Sequence, residues 1–226
     1  MAQGYFITGT DTDVGKTLVS LALLQALKNQ GHRVAGMKPI SAGCKLANNE
    51  LCNDDAIKLQ HRSSIKIPYK TVNPYAFEPP VAPHLAAKNL GISIEIDNIV
   101  SSYRTIAAQV DRVIVEGAGG WLVPLDERRT MADIVDALAL PVILVVGLRL
   151  GCLNHALLTV ENIKMRGAIL GGWVVNVIDA SMSFKQQNID TLKQRIDSPL
   201  LGIIPYQQPV IVDDAAMLLD VSLLDN

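Results

Sequence analysis

The chain has 226 residues, of which 49% are hydrophobic and 19% are charged, so it carries enough apolar material for a folded core and is not intrinsically disordered. Lysines and arginines number 20 against 22 aspartates and glutamates, and the formal net charge of −2 argues against binding to nucleic acid through phosphate attraction. From this length we expect a single α/β domain over residues 1–226.

The chain is expected to be a cytoplasmic protein that does not enter a membrane. Its most apolar segment, Pro141–Leu150, is too short for a membrane span and carries Arg149. Met1–Thr8 lacks the basic and long apolar regions of a secretory signal. The cysteines form an odd set without metal-site spacing, so we expect free thiols. They are Cys44, Cys52 and Cys152.

The first elements in the chain are a strand, a helix and a second strand. Tyr5–Thr8 is short, apolar and β-prone, which predicts a strand. Leu18–Lys28 repeats apolar residues at helical spacing, and Gly31 ends the helix. Val34–Met37 predicts the second strand.

A short helix and a proline-rich stretch follow. Asp54–Gln60 predicts a helix capped by either Asn53 or Asp54. Ile65–Pro83 contains five prolines, a density that predicts an ordered surface loop without helix or central strand. Because such a long loop is unusual inside a compact domain, we expect it to be functional.

Helices and strands then alternate to the end of the chain. Helices are predicted at Ile96–Val110, Met131–Leu140 and Asn154–Arg166, and strands at Arg112–Glu116, Pro141–Val146, Leu170–Val177 and Leu200–Ile204. The strand segments lack polar alternation, as strands do when both faces of a parallel sheet are covered by helices. The predicted class is therefore α/β, with a parallel sheet and helices on both faces.

The strongest chemical signal is the segment GTDTDVGKT, Gly9–Thr17, which joins the first strand to the first helix. Its glycines allow backbone N–H groups to face a polyphosphate, and the helix N-terminus adds its positive dipole end. Lys16 suits phosphate oxygens, and the Thr17 hydroxyl suits Mg²⁺. Five residues separate the two glycines instead of the usual four, so this is a variant loop. The segment predicts a P-loop NTPase fold; the alternative is a glycine-rich turn with a surface lysine.

Lys38 and Ser41 lie just past the carboxyl end of the second predicted strand, where open α/β sheets place ligand groups. Lys38 suits a second phosphate or a carbamate, and the alternative is an ordinary exposed lysine. Ser41 carries a weaker signal, because its position alone is equally typical of a loop serine.

Two acidic positions are candidates for a magnesium site. A helix cap explains one residue of the cluster Asn53–Asp55 but not all three, so Asp55 is a candidate ligand, with capping alone as the alternative. Glu116 ends a strand and precedes Gly117–Gly120, as a Walker-B-like carboxylate does; the alternative is a strand-end glutamate before a tight turn. Mg²⁺ keeps water and phosphate ligands, so Thr17 with one or two carboxylates is enough. On this interpretation, Glu116→Gln lowers turnover with little loss of melting temperature.

A second helix start and a polar strand residue complete the candidates. Gly151–Asn154 follows a buried strand and opens a helix, which suits an anion such as a substrate carboxylate. Within it we interpret Cys152 as a packed thiol rather than a nucleophile. Asn176 lies in an apolar strand and needs a hydrogen-bond partner, either a purine edge or an internal backbone group. Pro205 and Tyr206 are candidates for the same pocket, or simply a strand-end turn.

Seven segments together resemble the dethiobiotin synthetase family, in order along most of the chain. They are TGTDTDVGKT (Thr8–Thr17), KPIS (Lys38–Ser41), NDDA (Asn53–Ala56), TVNPYAFEPPVAPH (Thr71–His84), VEGAGGWLVPL (Val115–Leu125), PVILVVGLRLGCLNHALLT (Pro141–Thr159) and GWVVN (Gly172–Asn176). The resemblance implies a ligase that closes a ureido ring on 7,8-diaminononanoate with CO₂ and ATP. A carbamate and a carbamic-phosphoric anhydride are the implied intermediates, and the product, dethiobiotin, serves biotin synthesis.

The resemblance also implies roles for individual residues, a magnesium ion and a homodimer with its active site near the interface. Catalytic roles fall on Thr12, Lys16 and Lys38, and magnesium ligation falls on Thr17, Asp55 and Glu116. ATP contacts fall on Asp13, Val14, Gly15, Lys16, Thr17, Glu116, Gly117, Gly119, Asn176, Pro205 and Tyr206. Substrate contacts fall on Thr12, Lys38 and Ser41, and on Gly151, Cys152, Leu153 and Asn154 of the second subunit.

Two departures and one alternative accompany the resemblance. Asp13 stands where the family has Glu, and Asp179–Asp197 matches the family poorly. The alternative is an ATPase switch of the ParA/MinD type, which shares the fold and a variant phosphate loop. That class carries an additional lysine beside the first glycine of the loop, where this chain has Thr8 and Thr10.

Overall fold

The computed structural model describes residues 2–47, 49–209 and 211–224. Within these ranges the strands are β1 (Gln3–Gly9), β2 (Val34–Met37), β3 (Ile40–Ser41), β4 (Lys45–Ala47), β5 (Glu50–Cys52), β6 (Tyr75–Ala76), β7 (Arg112–Glu116), β8 (Val142–Leu148), β9 (Leu170–Val177) and β10 (Leu200–Ile204). The helices are α1 (Lys16–Asn29), α2 (Asp54–Arg62), α3 (Tyr69–Val72), α4 (Pro83–Leu90), α5 (Ile96–Ala107), α6 (Met131–Leu138), α7 (Cys152–Met165), α8 (Lys185–Arg195) and α9 (Val212–Met217), followed by a 3₁₀ turn at Val221–Leu224.

A parallel sheet with the order β10-β9-β8-β1-β7-β2 forms the centre of the described structure. Successive β1 side chains point to opposite faces, so Phe6 joins a core that includes α5 and α6, and Ile7 joins a core that includes α1 and α9. Burial on both faces accounts for the unbroken apolar strand sequences. The predicted class, a parallel sheet with helices around it, is confirmed; the single-domain organisation stays a prediction.

Strand order determines which chain segments meet at the carboxyl edge of the sheet. β1 lies between β7 and β8, with Ile7 opposite Glu116, and β2 follows β7, with Met37 opposite Val115. The phosphate loop after β1, Glu116 at the end of β7 and Lys38 after β2 are therefore neighbours, although they are far apart in sequence.

Most predicted elements are present, and the predicted bounds of β2, β7, β9 and β10 are those of the structure. The helix predicted to reach Val110 ends at Ala107. Asn53, not Asp54, caps α2, because its side chain accepts hydrogen bonds from the amides of Asp55 and Ala56. No described helix is both long and apolar enough to cross a membrane. The three cysteines are free thiols, as expected.

The prediction that Ile65–Pro83 contains no helix is wrong, whereas its exclusion from the central sheet is confirmed. The stretch contains α3 and β6, which pairs with β3. The prolines flank these elements instead of interrupting them: Pro68 precedes α3, and Pro83 occupies the first turn of α4, where its missing N–H costs nothing. The sequence also failed to predict the β4–β5 hairpin and helices α4, α8 and α9.

Candidate active site

A cavity of about 810 Å³ opens at the carboxyl edge of the sheet. Its polar wall consists of Thr12, Asp13, Lys16, Thr17, Lys38, Ser41, Asn53, Asp55 and Glu116. Its less polar wall includes Pro80, Val81, Ala82, Pro83, Ala118, Gly119 and Val123. The fold thus brings together the sequence-predicted residues of the phosphate loop, of the segment after β2 and of the start of α2. The proline-rich stretch contributes Pro80–Pro83 to the same cavity.

The phosphate loop is held in a conformation that requires glycine. Gly15 has a φ of +91°, and a Cβ at this position would lie 2.1 Å from the Asn176 side-chain nitrogen. That nitrogen donates a hydrogen bond of 2.9 Å to the Val14 carbonyl. Asn176 therefore supports the loop from behind, as the internal-partner alternative expected. Asp13 adopts a left-handed φ of 57°, which is uncommon for a residue with a side chain.

Lys16 begins helix α1 and is buried. Its ammonium donates a hydrogen bond of 2.9 Å to the Asp11 carbonyl. Burial, and to a lesser extent the positive charge of Lys38, lower the pKa of Lys16 to about 8, although the carboxylates of Glu116, Asp13 and Asp11 act in the opposite direction. A polyphosphate bound at this site would supply the negatively charged partner that the Lys16 ammonium lacks.

Lys38 is also buried, so the alternative of an ordinary exposed lysine does not hold. Its ammonium lies 2.5 Å from Glu116 Oε1 and 3.3 Å from Asp55 Oδ2. Burial by itself lowers the pKa of Lys38, but the two carboxylates outweigh burial and raise it. The result is a cation that is fixed between two carboxylates on the cavity wall.

The oxygen donors beside Lys38 fit a magnesium ion. The Thr17 hydroxyl donates a hydrogen bond of 2.9 Å to Glu116 Oε1, and Glu116 Oε2 is buried without a hydrogen-bond partner. A buried, unpartnered carboxylate oxygen is costly unless something binds it. In the described part of the chain, no group of three or more acidic, histidine or cysteine side chains is arranged to hold a metal. Two carboxylates and a hydroxyl suffice for Mg²⁺, which completes its shell with water and phosphate oxygens.

The segment Gly151–Asn154 does not line this cavity. Gly151 has a φ of 94° and precedes α7, and the Cys152 amide donates to the Arg149 carbonyl. Arg149 also forms an ion pair with Asp11, which links this helix start to the phosphate loop. Cys152 is buried and burial raises its thiol pKa, in agreement with a packed thiol.

The remaining candidates occupy different positions around the loop. Gly119 lines the cavity, whereas Gly117 packs against the Phe6 ring. Pro205 and Tyr206 are exposed after β10 and do not line the cavity. Several cavity residues were not predicted from the sequence. Asn53 was considered only as a helix cap, and Pro80–Pro83, Ala118 and Val123 were not singled out as cavity residues. The proline-rich segment was the available signal for Pro80–Pro83.

Solved structures share this architecture. The chain resembles the MinC:MinD cell division protein complex of Aquifex aeolicus, at 19% identity and a TM-score of 0.56 over 99% of this chain and 89% of that one. It also resembles a ParA family ATPase of Chlorobium tepidum TLS, at 15% identity and a TM-score of 0.57 over 96% and 89%. Such low identities show the fold alone. Together with the phosphate loop, they define the class as a P-loop NTPase.

Sequence comparisons narrow the class to one family. A family model described as an AAA domain matches residues 3–212. The ATP-dependent dethiobiotin synthetase BioD of Cellvibrio japonicus is 47% identical over 99% of this chain and 98% of its own length. The BioD of Aeromonas hydrophila subsp. hydrophila is 47% identical over 99% and 100%, and that of Pseudescherichia vulneris is 44% identical over 100% and 95%. The chain belongs to the dethiobiotin synthetase family.

Proposed function

We propose that this protein is an ATP-dependent ligase that forms the ureido ring of dethiobiotin from 7,8-diaminononanoate and CO₂, releasing ADP and phosphate. The observation that carries the proposal is the pair of buried lysines, Lys16 and Lys38, on one cavity wall of a chain that aligns over nearly its whole length with dethiobiotin synthetases.

The reaction divides into three bond-forming steps. One amine of the substrate attacks CO₂, forms an N–C bond and loses a proton, which gives a carbamate. A carbamate oxygen then attacks the γ-phosphorus of ATP, and the bond to ADP breaks. The second amine attacks the carbamoyl carbon and expels phosphate, which closes the ring. These steps need little covalent chemistry from the protein, so positioning and neutralisation of charge carry the catalysis.

The two lysines serve different parts of this sequence. Lys16, at the start of α1, binds the transferring phosphoryl group, and the backbone of Asp13–Gly15 surrounds the phosphates. Lys38 sits beside Glu116 and Asp55 at the cavity wall and binds the carbamate oxygen together with the phosphoryl group. A cation at each end of the new O–P bond lowers the cost of bringing two anions together.

Thr17, Asp55 and Glu116 are the residues that would hold Mg²⁺, on the support of their oxygen chemistry and of the unpartnered Glu116 Oε2. When bound, the ion supplies positive charge to the phosphate oxygens of ATP. The Gly117–Gly119 turn follows Glu116 and gives the nucleotide close access to backbone groups. Asn176, which also supports the phosphate loop, and the exposed residues Pro205 and Tyr206 are proposed to face the adenine, which would then extend beyond the cavity.

We place the diamine over Thr12, Lys38 and Ser41, which line the cavity. Its carboxylate is proposed to bind Gly151, Cys152, Leu153 and Asn154 of a second subunit, because these residues do not line the cavity of their own chain. Leu150, directly before this segment, is 91% exposed, and Leu158 on the same helix is 59% exposed. These exposed leucines, which a second copy would cover, support a homodimer with the active site near its interface. The cytoplasmic location stays a prediction.

The decisive assay measures ADP release from Mg-ATP with 7,8-diaminononanoate and ¹³C-bicarbonate, added separately and together, with mass analysis of the product. The proposal expects ADP only when both are present, and label in a cyclic urea. ADP release that ignores the diamine and bicarbonate would overturn the ligase and favour an ATPase switch of the ParA/MinD type.

A further inference from the structure

Asn73, which follows helix α3 in the proline-rich stretch, is a buried residue with every hydrogen-bonding capacity of its side chain used. Its amide nitrogen donates to the Lys38 carbonyl at 2.6 Å and to the Tyr75 carbonyl at 3.3 Å. Its amide oxygen accepts from the Ser41 hydroxyl at 2.7 Å and from the Tyr69 hydroxyl at 2.9 Å. The two backbone carbonyls cannot donate, so they fix which end of the amide faces which partner.

This orientation fixes the hydrogen-bond direction of Ser41. The Asn73 oxygen has no proton to give, so the Ser41 hydroxyl proton must point to Asn73. Cys44 Sγ lies 3.2 Å from Ser41 Oγ and must therefore be the donor in that contact. Toward any other group, Ser41 can act only as an acceptor. An acceptor on this wall of the cavity is suited to an N–H group, and the diamine and its carbamate carry such groups.

The same amide connects to both sides of the charged cluster. On one side it holds the backbone carbonyl of Lys38, whose ammonium contacts Asp55 and Glu116. On the other side the Tyr69 hydroxyl accepts a hydrogen bond of 2.7 Å from the Asn53 backbone N–H. The Asn53 side chain in turn accepts from the Asp55 amide, which fixes the start of α2.

The protonation state of Tyr69 keeps this network in one direction. Burial raises the pKa of Tyr69 to about 12, so its hydroxyl retains its proton through the working range of an enzyme. It donates that proton to Asn73 and accepts from the Asn53 amide, which leaves no competing arrangement. A fully satisfied network of this kind, which is buried at Asn73 and Ser41 and half-buried at Tyr69 and Asn53, specifies one geometry.

We propose that Asn73 is the positioning residue of the reaction: it holds Ser41 as an obligate acceptor toward a substrate nitrogen and fixes the backbone of Lys38 and, through Tyr69 and Asn53, that of Asp55. This inference rests on the proposed function and extends it to a residue that touches neither substrate nor nucleotide. The physical basis is preorganisation, because groups that are already aligned need not be reoriented during the reaction.

The test is a double-mutant cycle on the KM for the diamine, with kcat followed in parallel. Asn73→Ala should raise this KM about tenfold and lower kcat about 10²-fold, since Ser41 and Lys38 both lose their alignment. In a Ser41→Ala background, Asn73→Ala should change KM less than about threefold, because the group it orients is gone. Asn73→Ala should still lower kcat in this background, because Lys38 loses its hydrogen bond to Asn73 whether or not Ser41 is present. Additive KM effects, or a KM that Asn73→Ala leaves unchanged, would overturn the proposal.

A control and a milder variant separate positioning from general destabilisation. Ile106→Val, in the buried face of α5, should lower the melting temperature slightly and leave KM unchanged. If Asn73→Ala does not fold, Tyr69→Phe removes the hydrogen bonds of the Tyr69 hydroxyl to Asn73 and to the Asn53 backbone, and keeps the ring. It should lower kcat about threefold and raise the Mg²⁺ concentration needed for half-maximal rate, since Asp55 is less well anchored. Wild-type kinetics in Tyr69→Phe would overturn the proposal.

A crystal structure of Asn73→Ala, or of Tyr69→Phe if the first does not fold, tests the geometry separately from the reaction. The Ser41 hydroxyl or the Lys38 ammonium should move by more than about 0.5 Å while the central sheet superimposes. Unmoved side chains would overturn the inference even if the ligase assay succeeds. A wild-type protein that forms no dethiobiotin would overturn the proposed function, and with it the link between Asn73 and this reaction.

Discussion

The two buried lysines of the cavity differ in where their counter-charge comes from. Lys38 has it within the protein, because Glu116 and Asp55 both contact its ammonium and raise its pKa against the effect of burial. Lys16 bonds only a backbone carbonyl among the described contacts, and burial together with the charge of Lys38 lowers its pKa to about 8. Two residues of the same type on one cavity wall are thus in opposite electrostatic states.

We call the charge of Lys38 structural, because it is balanced within the protein, and the charge of Lys16 reserved, because it is balanced only when an anionic ligand binds. The Lys38 ammonium is paired with carboxylates without a ligand, so it contributes to the fold as well as to the site. Lys16 carries a charge that the free protein disfavours, and an anionic ligand relieves the penalty. Such a local loss of stability is typical of a binding site, because folding alone gives no reason to bury an unpaired ammonium.

Lys16→Met provides the strongest test of this contrast. Turnover should fall about 10³-fold, since the phosphoryl group loses a preorganised cation. The melting temperature should stay the same or rise, because the ammonium costs folding on the order of 3 kcal/mol when its pKa is lowered from 10.5 to about 8. That penalty is full below pH 8 and is gone above pH 10.5, so the gain should be larger at pH 7 than at pH 10. Kinetics and thermal melts at the two pH values measure both effects.

Loss of stability in Lys16→Met at neutral pH would contradict the view of Lys16 as a reserved charge. Lys28, half-buried in the last turn of the same helix and outside the cavity, provides the matched control. Lys28→Met should leave turnover within about twofold of wild type, because Lys28 does not line the cavity.

Lys38→Met should behave in the opposite way. Glu116 is fully buried, so removing its cation leaves an uncompensated charge and should cost about 3–5 kcal/mol of unfolding free energy, with turnover lost as well. Glu116→Gln should also lower stability, in contrast to the expectation from sequence that it affects turnover alone. Combining the two changes should recover part of the loss. Thermal melts of the wild type, the two single variants and the double variant test this, and a double variant less stable than Lys38→Met would contradict it.

Proton uptake on nucleotide binding measures the reserved charge directly. The phosphates of ATP favour the ammonium form of Lys16, so a protein that has lost the proton above pH 8 must regain it on binding. The Kd for Mg-ATP should therefore rise as pH increases above 8, by up to about tenfold per pH unit. Calorimetry at pH 8.5 in two buffers of different ionisation enthalpy measures the uptake, and Lys16→Met should show none. Equal enthalpies in both buffers for the wild type would contradict this assignment.

The sequence predicted the positions of the charged residues better than their partners. Unbroken apolar runs indicate parallel strands, and parallel strands bring their carboxyl ends to one edge, so Lys38 and Glu116 were correctly expected there. The contact between them depends on the strand order β1-β7-β2, which joins residues 78 apart in sequence. Asn176 and Val14 are 162 apart, so their hydrogen bond was one of two open alternatives. Local patterns do not encode which strands become neighbours.

The proline-rich stretch shows the complementary limit of local rules. No proline of this stretch interrupts a helix or strand. Helix α3 has four residues and strand β6 has two, so both are short enough to fit between successive prolines. The role of Asn73 was not predicted for a similar reason. Its four hydrogen bonds connect three short segments that the β3–β6 pairing and the backbone hydrogen bond from Lys38 to Val72 bring together.

The ion pair between Arg149 and Asp11 should have the smallest effect, because both side chains are about half exposed. It joins the start of α7 to the phosphate loop, but solvent screens it, unlike the buried Lys38 cluster. A double-mutant cycle of Arg149→Met and Asp11→Asn on the Kd for Mg-ATP should give a coupling below about 1 kcal/mol, reduced further at 1 M salt. Lys164→Met, which breaks a more exposed pair with Asp197, should leave this Kd unchanged. A larger coupling that persists at 1 M salt would mean that the phosphate loop depends on α7 as strongly as on the buried charges. Burial would then not predict which charged residues of this protein contribute to nucleotide binding.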